Sequence, residues 1–279
     1  MQRVGNTTDT SQTSLRATSI IKAFSQRDVV SNVTMEVRRG EVVGLFGPNG
    51  AGKSTLMGAM TGLYSTDFGK IEIDGIDVTK LPLYARAQLG LSYLPQDASI
   101  FKGLSVQDNI LLYLEALEMD KEHQLTRLEA LLEEFDLVGI KRKNGSKLSG
   151  GERRRCEIAR MLAVEPKYVL LDEPFSGIDP LAVVSVQQTI AKLTDRGIGV
   201  LISDHNVRET LSIVDYAYIM HSGTFLAQGT SQHIISNADV RNAYLGKTFT
   251  QWMAMASRGL TLNKHGGSKN RAKALEYFL

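Results

Sequence analysis

The fold of this chain is decided by the stretch Gly47-Pro48-Asn49-Gly50-Ala51-Gly52-Lys53-Ser54-Thr55. It fits G-x-x-x-x-G-K-[ST], the pattern of a phosphate-binding P-loop. The apolar residues 42–46 before it predict a buried strand, and residues 54–63 after it carry apolar side chains at helical spacing. Because strand, loop and helix follow in the order that the motif requires, we favour a P-loop over a glycine-rich turn that matches by chance.

A P-loop holds phosphate groups with its backbone. Its glycines let N–H groups turn inward, and the positive end of the following helix faces the same anion. In such a loop Lys53 reaches the β- and γ-phosphates, and the Ser54 hydroxyl binds Mg²⁺. All nine residues of the stretch are therefore predicted to bind a nucleotide, with Mg²⁺ as the metal ion.

An acidic pair follows a second apolar run. Asp172 and Glu173 come directly after residues 168–171, where P-loop NTPases carry the acid that ends the Walker-B strand. Hydrolysis needs a held metal ion and an oriented water. Asp172 is therefore predicted to hold the metal, and Glu173 to act as the base or the water-orienting group. The alternative is an acidic pair that only caps the next helix.

A third motif, Leu148-Ser149-Gly150-Gly151-Glu152, opens a predicted helix. A hydroxyl, free N–H groups and a helix dipole suit a second phosphate site. Since the P-loop already serves the nucleotide of this chain, Ser149, Gly150 and Gly151 would serve the nucleotide of another chain. The alternative is a plain N-cap with flexible glycines, in which Ser149 and Glu152 form a capping box.

The composition excludes several classes of protein. With 279 residues, 43% of them hydrophobic, the chain is long enough for one or two globular domains. A net charge of +2 is too small to indicate a nucleic-acid surface. The single cysteine, Cys156, excludes an internal disulfide framework, fits a reducing compartment and is predicted to be a small core residue. No stretch is long enough to cross a bilayer, so we expect a soluble subunit that reaches a membrane only through partners.

The pattern along the chain predicts an α/β protein with a helical insertion. Apolar or alternating runs predict further strands at 15–21, 33–37, 69–73, 89–94 and 200–202. Segments 216–220 and 224–227 predict a hairpin, and Phe24 is predicted to lie on a turn. Between about residues 106 and 165 the apolar spacing becomes helical. There is no internal repeat, so we expect one nucleotide-binding unit per chain.

The order of the motifs is similar to that of ABC-type ATPase subunits. The motifs are the P-loop, Gln96, Leu-Ser-Gly-Gly-Glu at 148–152, Leu-Leu-Asp-Glu-Pro at 170–174, Ser176-Gly177-Ile178-Asp179, and His205. The resemblance implies a RecA-like P-loop NTPase core, a small antiparallel β subdomain and an inserted α-helical subdomain. It also implies an ATP hydrolase that works as a homodimer, with each ATP between the P-loop of one protomer and Ser149 and Gly151 of the other.

The resemblance also implies roles for single residues. Gln96 would join the catalytic to the helical subdomain and contact both Mg²⁺ and the attacking water. His205 would contact the γ-phosphate, and Asp179 would lie in the loop that crosses the dimer interface. Phe24 matches the position of the aromatic residue that stacks on adenine, where many relatives have tyrosine.

The ends of the chain differ from the part that the resemblance covers. Residues 1–14 are polar and predicted to form a disordered tail. The ABC ATPase domain is predicted to span 15–249, with its helical subdomain at about 97–165. Residues 250–279 form an extension, predicted to be partly flexible, in which 248–257 is compatible with a short helix and 265–270 with a basic linker.

A narrower resemblance concerns the cargo. Segments 81–87, 93–101, 148–155 and 204–210 look like those of the ATPase family that drives lipopolysaccharide transport in Gram-negative inner membranes. This resemblance implies transmembrane permease partners of the LptF and LptG kind, with an LptC-like subunit, that contact the region around Phe101. They would hold the cytoplasmic chain on the inner face of that membrane. The alternative is that Phe101 belongs to the core of its own subdomain.

Two other functions stay open at this point. A branched-chain amino-acid importer ATPase shares the core motifs but usually differs around residues 95–101. A soluble ABC protein of DNA repair or translation is disfavoured by the weak net charge, by the single ATPase unit and by a sequence without a long coiled coil or a nucleic-acid domain. The proteins that co-purify with the chain from membranes would distinguish the three.

Overall fold

The computed structural model describes residues 13–240, except residues 26, 118 and 206 and the side chains of 208 and 209. Two β-sheets organise this part of the chain. Its strands, in chain order, are β1 (Ser14–Phe24), β2 (Arg27–Arg38), β3 (Val42–Phe46), β4 (Phe68–Ile73), β5 (Ile76–Asp77), β6 (Leu91–Leu94), β7 (Tyr168–Asp172), β8 (Gly199–Ser203), β9 (Tyr216–His221) and β10 (Thr224–Thr230). One sheet has six strands, in the order β10-β9-β3-β8-β7-β6, and the other has four, in the order β2-β1-β4-β5.

The six-stranded sheet is parallel except for its last strand. Strands β9, β3, β8, β7 and β6 run parallel to their neighbours, and β10 turns back on β9 as the predicted hairpin. All five residues of β3, β7 and β8 are buried. Both faces of these strands are covered, which explains why the sequence shows them as continuous apolar runs.

The helices cover both faces of this sheet. In chain order they are α1 (Lys53–Thr61), α2 (Leu83–Gln88), α3 (Val106–Glu115), α4 (Lys121–Glu134), α5 (Gly150–Leu162), α6 (Pro180–Asp195), α7 (Val207–Leu211), α8 (Ser231–Ser236) and α9 (Ala238–Val240). Helices α3, α4 and α5 form the predicted helical insertion. Several of their leucines pack inward, among them Leu114 and Leu131 at 0% and 1% exposure, and Cys156 is buried in the same cluster.

The four-stranded antiparallel sheet packs on the P-loop helix. Leu15, Ile20 and Met35 from this sheet share one apolar cluster with Leu56 and Met60 of α1. The fold therefore consists of a P-loop core, a small antiparallel β unit and a helical insertion, as predicted.

The carboxyl ends of four neighbouring parallel strands lie side by side. The P-loop follows β3, His205 follows β8, Glu173 follows β7 and Gln96 follows β6. Ligands of open α/β sheets bind at the carboxyl ends of their strands. Sheet order thus brings together residues that are far apart in the sequence.

Three details differ from the sequence-based expectations. Phe24 is the last residue of β1, paired with Arg27, and the turn begins only at Ser25. The strands are longer than their apolar patterns because cross-strand pairing continues through polar residues. Helix α6 had no prediction, although Asp179 as N-cap and Pro180 at the first position are the usual signals of a helix start.

The predictions for residues 1–12 and 241–279 lie outside the described residues. They include the N-terminal tail, the short helix at 248–257 and the linker at 265–270. Among the helices that the structure describes, none combines the length and apolarity needed to cross a membrane.

Candidate nucleotide-binding site

A cavity of about 530 Å³ opens at the carboxyl ends of the central strands. Most of the predicted P-loop and hydrolysis residues line it, together with Ser176 of the motif at 176–179 and with Val29, which the sequence analysis did not name. The lining consists of Val29, Asn49, Gly50, Gly52, Lys53, Ser54, Thr55, Gln96, Glu173, Ser176 and His205. Its volume is in the usual range of small-molecule sites.

Two glycines of the P-loop lie where no side chain fits. A Cβ atom on Gly47 would lie 2.1 Å from the carbonyl oxygen of Met220, and one on Gly52 would lie 2.5 Å from that of Val29. Their φ angles are +151° and +107°, in the region that favours glycine. The loop can therefore pack closely against β2 and β9, the strands that carry these two carbonyls.

Lys53 lies at the floor of the cavity and is only 6% exposed. Its Nζ donates to the carbonyl oxygens of Gly47 at 2.7 Å and Pro48 at 3.1 Å. Burial lowers the pKa of this amine, while the charges of Glu173, Asp172 and Asp204 act in the opposite direction. Phosphate oxygens are stronger acceptors than these carbonyls, so the ammonium is well placed to turn toward a bound phosphate.

Three side chains from three strand ends meet at one carboxylate oxygen. Gln96 Nε2 donates to Glu173 Oε2 at 2.9 Å, and His205 Nδ1 lies 3.2 Å from the same oxygen. The Glu173 carboxylate is mostly buried, with 14% of its side chain exposed, whereas 55% of the His205 side chain is exposed. A base with its orientation fixed by two neighbours can act on a water in the cavity.

Asp172 lies beneath this cluster and does not line the cavity. Its carboxylate accepts hydrogen bonds from the hydroxyls of Tyr93, at 3.2 Å, and Ser203. Burial, together with the nearby Asp172 charge, raises the pKa of Tyr93 and keeps it a hydrogen-bond donor. The sequence analysis assigned no role to Tyr93 or Ser203, although Tyr93 lies on the predicted strand 89–94 and Ser203 directly follows the predicted strand 200–202.

The predicted metal ligands are Ser54, Gln96 and Asp172. They offer a hydroxyl, an amide oxygen and a carboxylate, the oxygen donors that Mg²⁺ prefers. Within the described residues there is no group of three or more His, Cys, Asp or Glu side chains that could hold a metal. A single carboxylate fits Mg²⁺ all the same, since this ion is usually held by one or two carboxylates plus substrate phosphates and water.

The Ser-Gly-Gly motif forms the start of α5, and its residues are not part of the cavity lining. Ser149 Oγ accepts from the N–H of Glu152 at 3.3 Å, and Glu152 Oε2 accepts from the N–H of Ser149 at 2.7 Å, which completes a capping box. A Cβ atom on Gly151 would lie 2.7 Å from that of Ala182, so this glycine lets α5 and α6 pack closely. A role toward a second chain's nucleotide stays a prediction.

Two other predicted residues also lie away from the cavity lining. Asp179 is exposed and caps α6 by accepting the N–H of Ala182 at 3.0 Å. Phe24 is 43% exposed, and its ring packs edge-on against Tyr64 with a centroid distance of 5.7 Å. The Lys22 ammonium lies over the same ring, 5.2 Å from its centroid, and the stacking on adenine stays a prediction.

Comparison with known proteins gives consistent results. The ABC transporter family matches residues 30–176, more than half of the chain. A probable ABC transporter ATP-binding protein from Azorhizobium caulinodans is 55% identical over 240 residues, which cover 86% of this chain and 85% of the relative. The lipopolysaccharide export system ATP-binding protein LptB from Acidithiobacillus ferridurans is 50% identical over 235 residues, which cover 84% of this chain and 98% of that protein.

Solved structures show the same fold. The ADP conformation of an ATP-binding cassette of an ABC transporter superposes with a TM-score of 0.75 at 27% sequence identity. The match covers 84% of this chain and 98% of that structure.

Proposed function

The chain belongs to the ABC transporter family as an ATP-binding subunit whose ATP hydrolysis is coupled to transport, and we propose that it powers the export of lipopolysaccharide. The observation that carries this proposal is the similarity to LptB, at 50% identity over 98% of that protein's length. The relative with 55% identity has only a general ABC transporter name, which indicates no cargo.

The residues around the cavity suggest separate roles in binding ATP and in hydrolysing it. We assign the phosphates to the P-loop and Lys53, and the attacking water to Glu173, which Gln96 and His205 orient. The oxygens of Ser54, Gln96 and Asp172 would hold Mg²⁺, which neutralises phosphate charge when bound. These roles are supported by the cavity that Lys53, Ser54, Gln96, Glu173 and His205 line together. Asp172, which precedes Glu173 in the chain, is held in place next to this lining by its hydrogen bond from Tyr93.

A second part of the proposal is that the chain acts as a homodimer with composite sites. Ser149, Gly150 and Gly151 are separated from the cavity of their own chain, yet they combine a hydroxyl with a helix N-terminus. Such an end suits an anion. In the dimer it would complete the partner's site, and the exposed Asp179 would lie at the interface.

Mixing two inactive variants tests the composite site. A Ser149→Arg protomer lacks a usable helix start, and a Lys53→Ala protomer lacks the P-loop cation. In a heterodimer one site would combine both defects and the other would have neither. We expect ATPase assays of the mixture to recover up to half of the parent activity per heterodimer. Inactive mixtures with proven heterodimers would show that each site lies within one chain.

We propose that Phe101 anchors the transmembrane partner. The ring is 44% exposed, whereas the preceding Ile100 is 6% exposed and packs in the core. Its backbone N–H donates to Asn109 Oδ1 at 2.9 Å, and the Arg160 guanidinium lies 5.2 Å from its ring centroid. An exposed aromatic ring on an anchored backbone, beside a cation, suits a groove for a short amphipathic helix.

We expect Phe101→Ala to lose the partner and keep the fold. Truncating an aromatic anchor costs about 2 kcal/mol or more in binding, or roughly 30-fold in Kd. The measurements are pull-down of the transmembrane proteins, thermal melting and ATP binding. The control is Leu125→Ala, which removes an exposed apolar side chain from α4, 55% exposed against 44% for Phe101. A lower melting temperature with intact pull-down would show that Phe101 is a core residue.

The cargo is tested by the proteins that co-purify with the tagged full-length chain from detergent-solubilised membranes. We expect permease subunits of the LptF and LptG kind, with lipopolysaccharide in the same fraction. Branched-chain amino-acid permeases in their place would overturn the proposed cargo, and the absence of any membrane protein from a complex stable in detergent would favour a non-transport role.

A further inference from the structure

Arg154 connects the segment that carries Gln96 with the segment that carries Glu173. It lies on α5, follows the Ser-Gly-Gly motif and is 6% exposed. A guanidinium has five N–H groups in a fixed plane. Each of the five has an acceptor here, and four of these acceptors are backbone carbonyls.

Three of the donors hold consecutive carbonyls. Nη2 donates to Asp172 at 3.2 Å and to Glu173 at 3.3 Å, and Nε donates to Pro174 at 3.3 Å. One rigid side chain therefore fixes the backbone immediately before, at and after Glu173. Neither a lysine ammonium nor a glutamine amide can reproduce this fork.

The backbone at Glu173 needs such support. Its φ is +46°, in the left-handed region that non-glycine residues seldom occupy. Strained backbone of this kind persists only where surrounding contacts determine it, and it concentrates at functional sites. The N–H of Glu173 donates to Ser203 at 2.8 Å, so the residue is held from both sides.

The remaining contacts of Arg154 reach the segment that leads to Phe101. Nη1 donates to the Pro95 carbonyl at 3.3 Å and to Glu157 Oε2 at 3.2 Å. Glu157 is 1% exposed, and its Oε1 accepts the N–H groups of Ser99 at 2.8 Å and Ile100 at 3.2 Å. One buried ion pair thus ties residues 95–100 to residues 172–174.

We propose that Arg154 is a positioning residue for ATP hydrolysis. It holds Glu173 in its left-handed conformation, and its pair with Glu157 links that conformation to the segment between Gln96 and Phe101. Arg154 can serve in this way only if Glu173 acts as proposed above. A shift of residues 95–101 when a partner binds would then reach Glu173 through two side chains.

The test uses a charge-neutral pair of substitutions in the full-length chain. Arg154→Gln alone leaves a buried carboxylate without its partner, a change that can prevent folding. Arg154→Gln combined with Glu157→Gln removes both charges, and the new amide oxygen at 157 can still accept the N–H groups of residues 99 and 100. The controls are Glu157→Gln alone, in which Arg154 keeps its four carbonyl acceptors, and Arg155→Gln, since Arg155 donates to Ser185 of α6.

We expect the double variant to lose kcat by about 10²-fold, as a small displacement of a reacting group can do. The KM and the Kd for ATP should stay within roughly threefold, because the P-loop contacts are untouched, and both controls should keep kcat in the same range. A folded double variant with the parent kcat would overturn the proposal. An equal loss of kcat in Arg155→Gln would also overturn it. So would a double variant whose kcat/KM falls because KM rises while kcat stays unchanged.

The Glu173→Gln variant, measured in parallel, separates this inference from the role proposed for Glu173. If Glu173→Gln hydrolyses ATP at the parent rate, the proposed role of Glu173 is wrong, and the inference about Arg154, which depends on it, is wrong as well. If Glu173→Gln is inactive and the double variant is fully active, only the inference about Arg154 fails. An inactive Glu173→Gln with the selective loss of kcat in the double variant supports both.

Discussion

Glu173→Gln is expected to remove nearly all ATP hydrolysis and to leave ATP binding intact. The amide keeps the size and shape of the side chain but cannot take a proton from water. Loss of a general base costs about 10²–10⁴-fold in rate. Gln96 and His205 now approach Glu173 Oε2, and an amide at this position can keep one such contact, so the site should stay assembled.

The variant should accumulate as a closed, ATP-bound dimer, because the step that reopens the dimer depends on hydrolysis. Steady-state hydrolysis, nucleotide binding and size-exclusion chromatography with saturating ATP and Mg²⁺ give the three measurements. Glu165→Gln is the control: it removes one carboxylate, paired with Arg127 at 3.0 Å, that does not line the cavity. Parent-level hydrolysis, or a monomer under these conditions, would contradict the role of Glu173.

The core of the fold could be predicted because its strands are buried on both faces. Each of β3, β7 and β8 is buried at all five residues, and each is apolar apart from glycine and the last residues of β7 and β8, Asp172 and Ser203. The P-loop motif indicates which strand lies next to the phosphates. The edges were harder to predict. Strands β1 and β2 extend through polar residues. The sequence pattern therefore predicts a turn at Phe24, whereas this residue is the last one of β1. Pairing across strands, rather than local composition, determines where they end.

The residues of the candidate site could be predicted from the sequence, but the side chains that hold them in place by hydrogen bonds could not. Asp172 lies opposite Ser203 in the β7–β8 register, and this register brings the serine hydroxyl to the carboxylate. Tyr93 reaches the same group across 79 positions of sequence. A pattern of residue types shows that a hydroxyl is present but not which acceptor it reaches, because that depends on how the strands align.

The left-handed backbone at Glu173 could not be predicted for a related reason. Non-glycine residues adopt a positive φ mainly when tertiary contacts impose it. The contacts come from Arg154, which the sequence shows only as one of three consecutive arginines. Which of the three points inward depends on the rotation of α5 against the sheet.

Lys53→Ala is expected to have the second large effect, which is a loss of ATP binding rather than a slower hydrolysis step. The ammonium is buried, and with two of its three N–H groups bound to Gly47 and Pro48 it is the cation of the cavity floor. Removing one member of a buried charged pair costs about 2–5 kcal/mol, which corresponds to roughly 30-fold to several thousand-fold in Kd for ATP. Hydrolysis at cellular ATP concentrations should then be undetectable.

Two further variants show whether the charge itself is responsible. Lys53→Met keeps most of the length and the apolar stem, so it should bind ATP as weakly as Lys53→Ala if the ammonium is what matters. Lys70→Ala removes the same charge from an exposed pair with Glu72 and should bind ATP like the parent, since exposed pairs contribute little. Isothermal titration with ATP measures all three. Parent-level affinity in Lys53→Ala would show that the backbone N–H groups of the loop and its helix dipole hold the phosphates without help from the lysine.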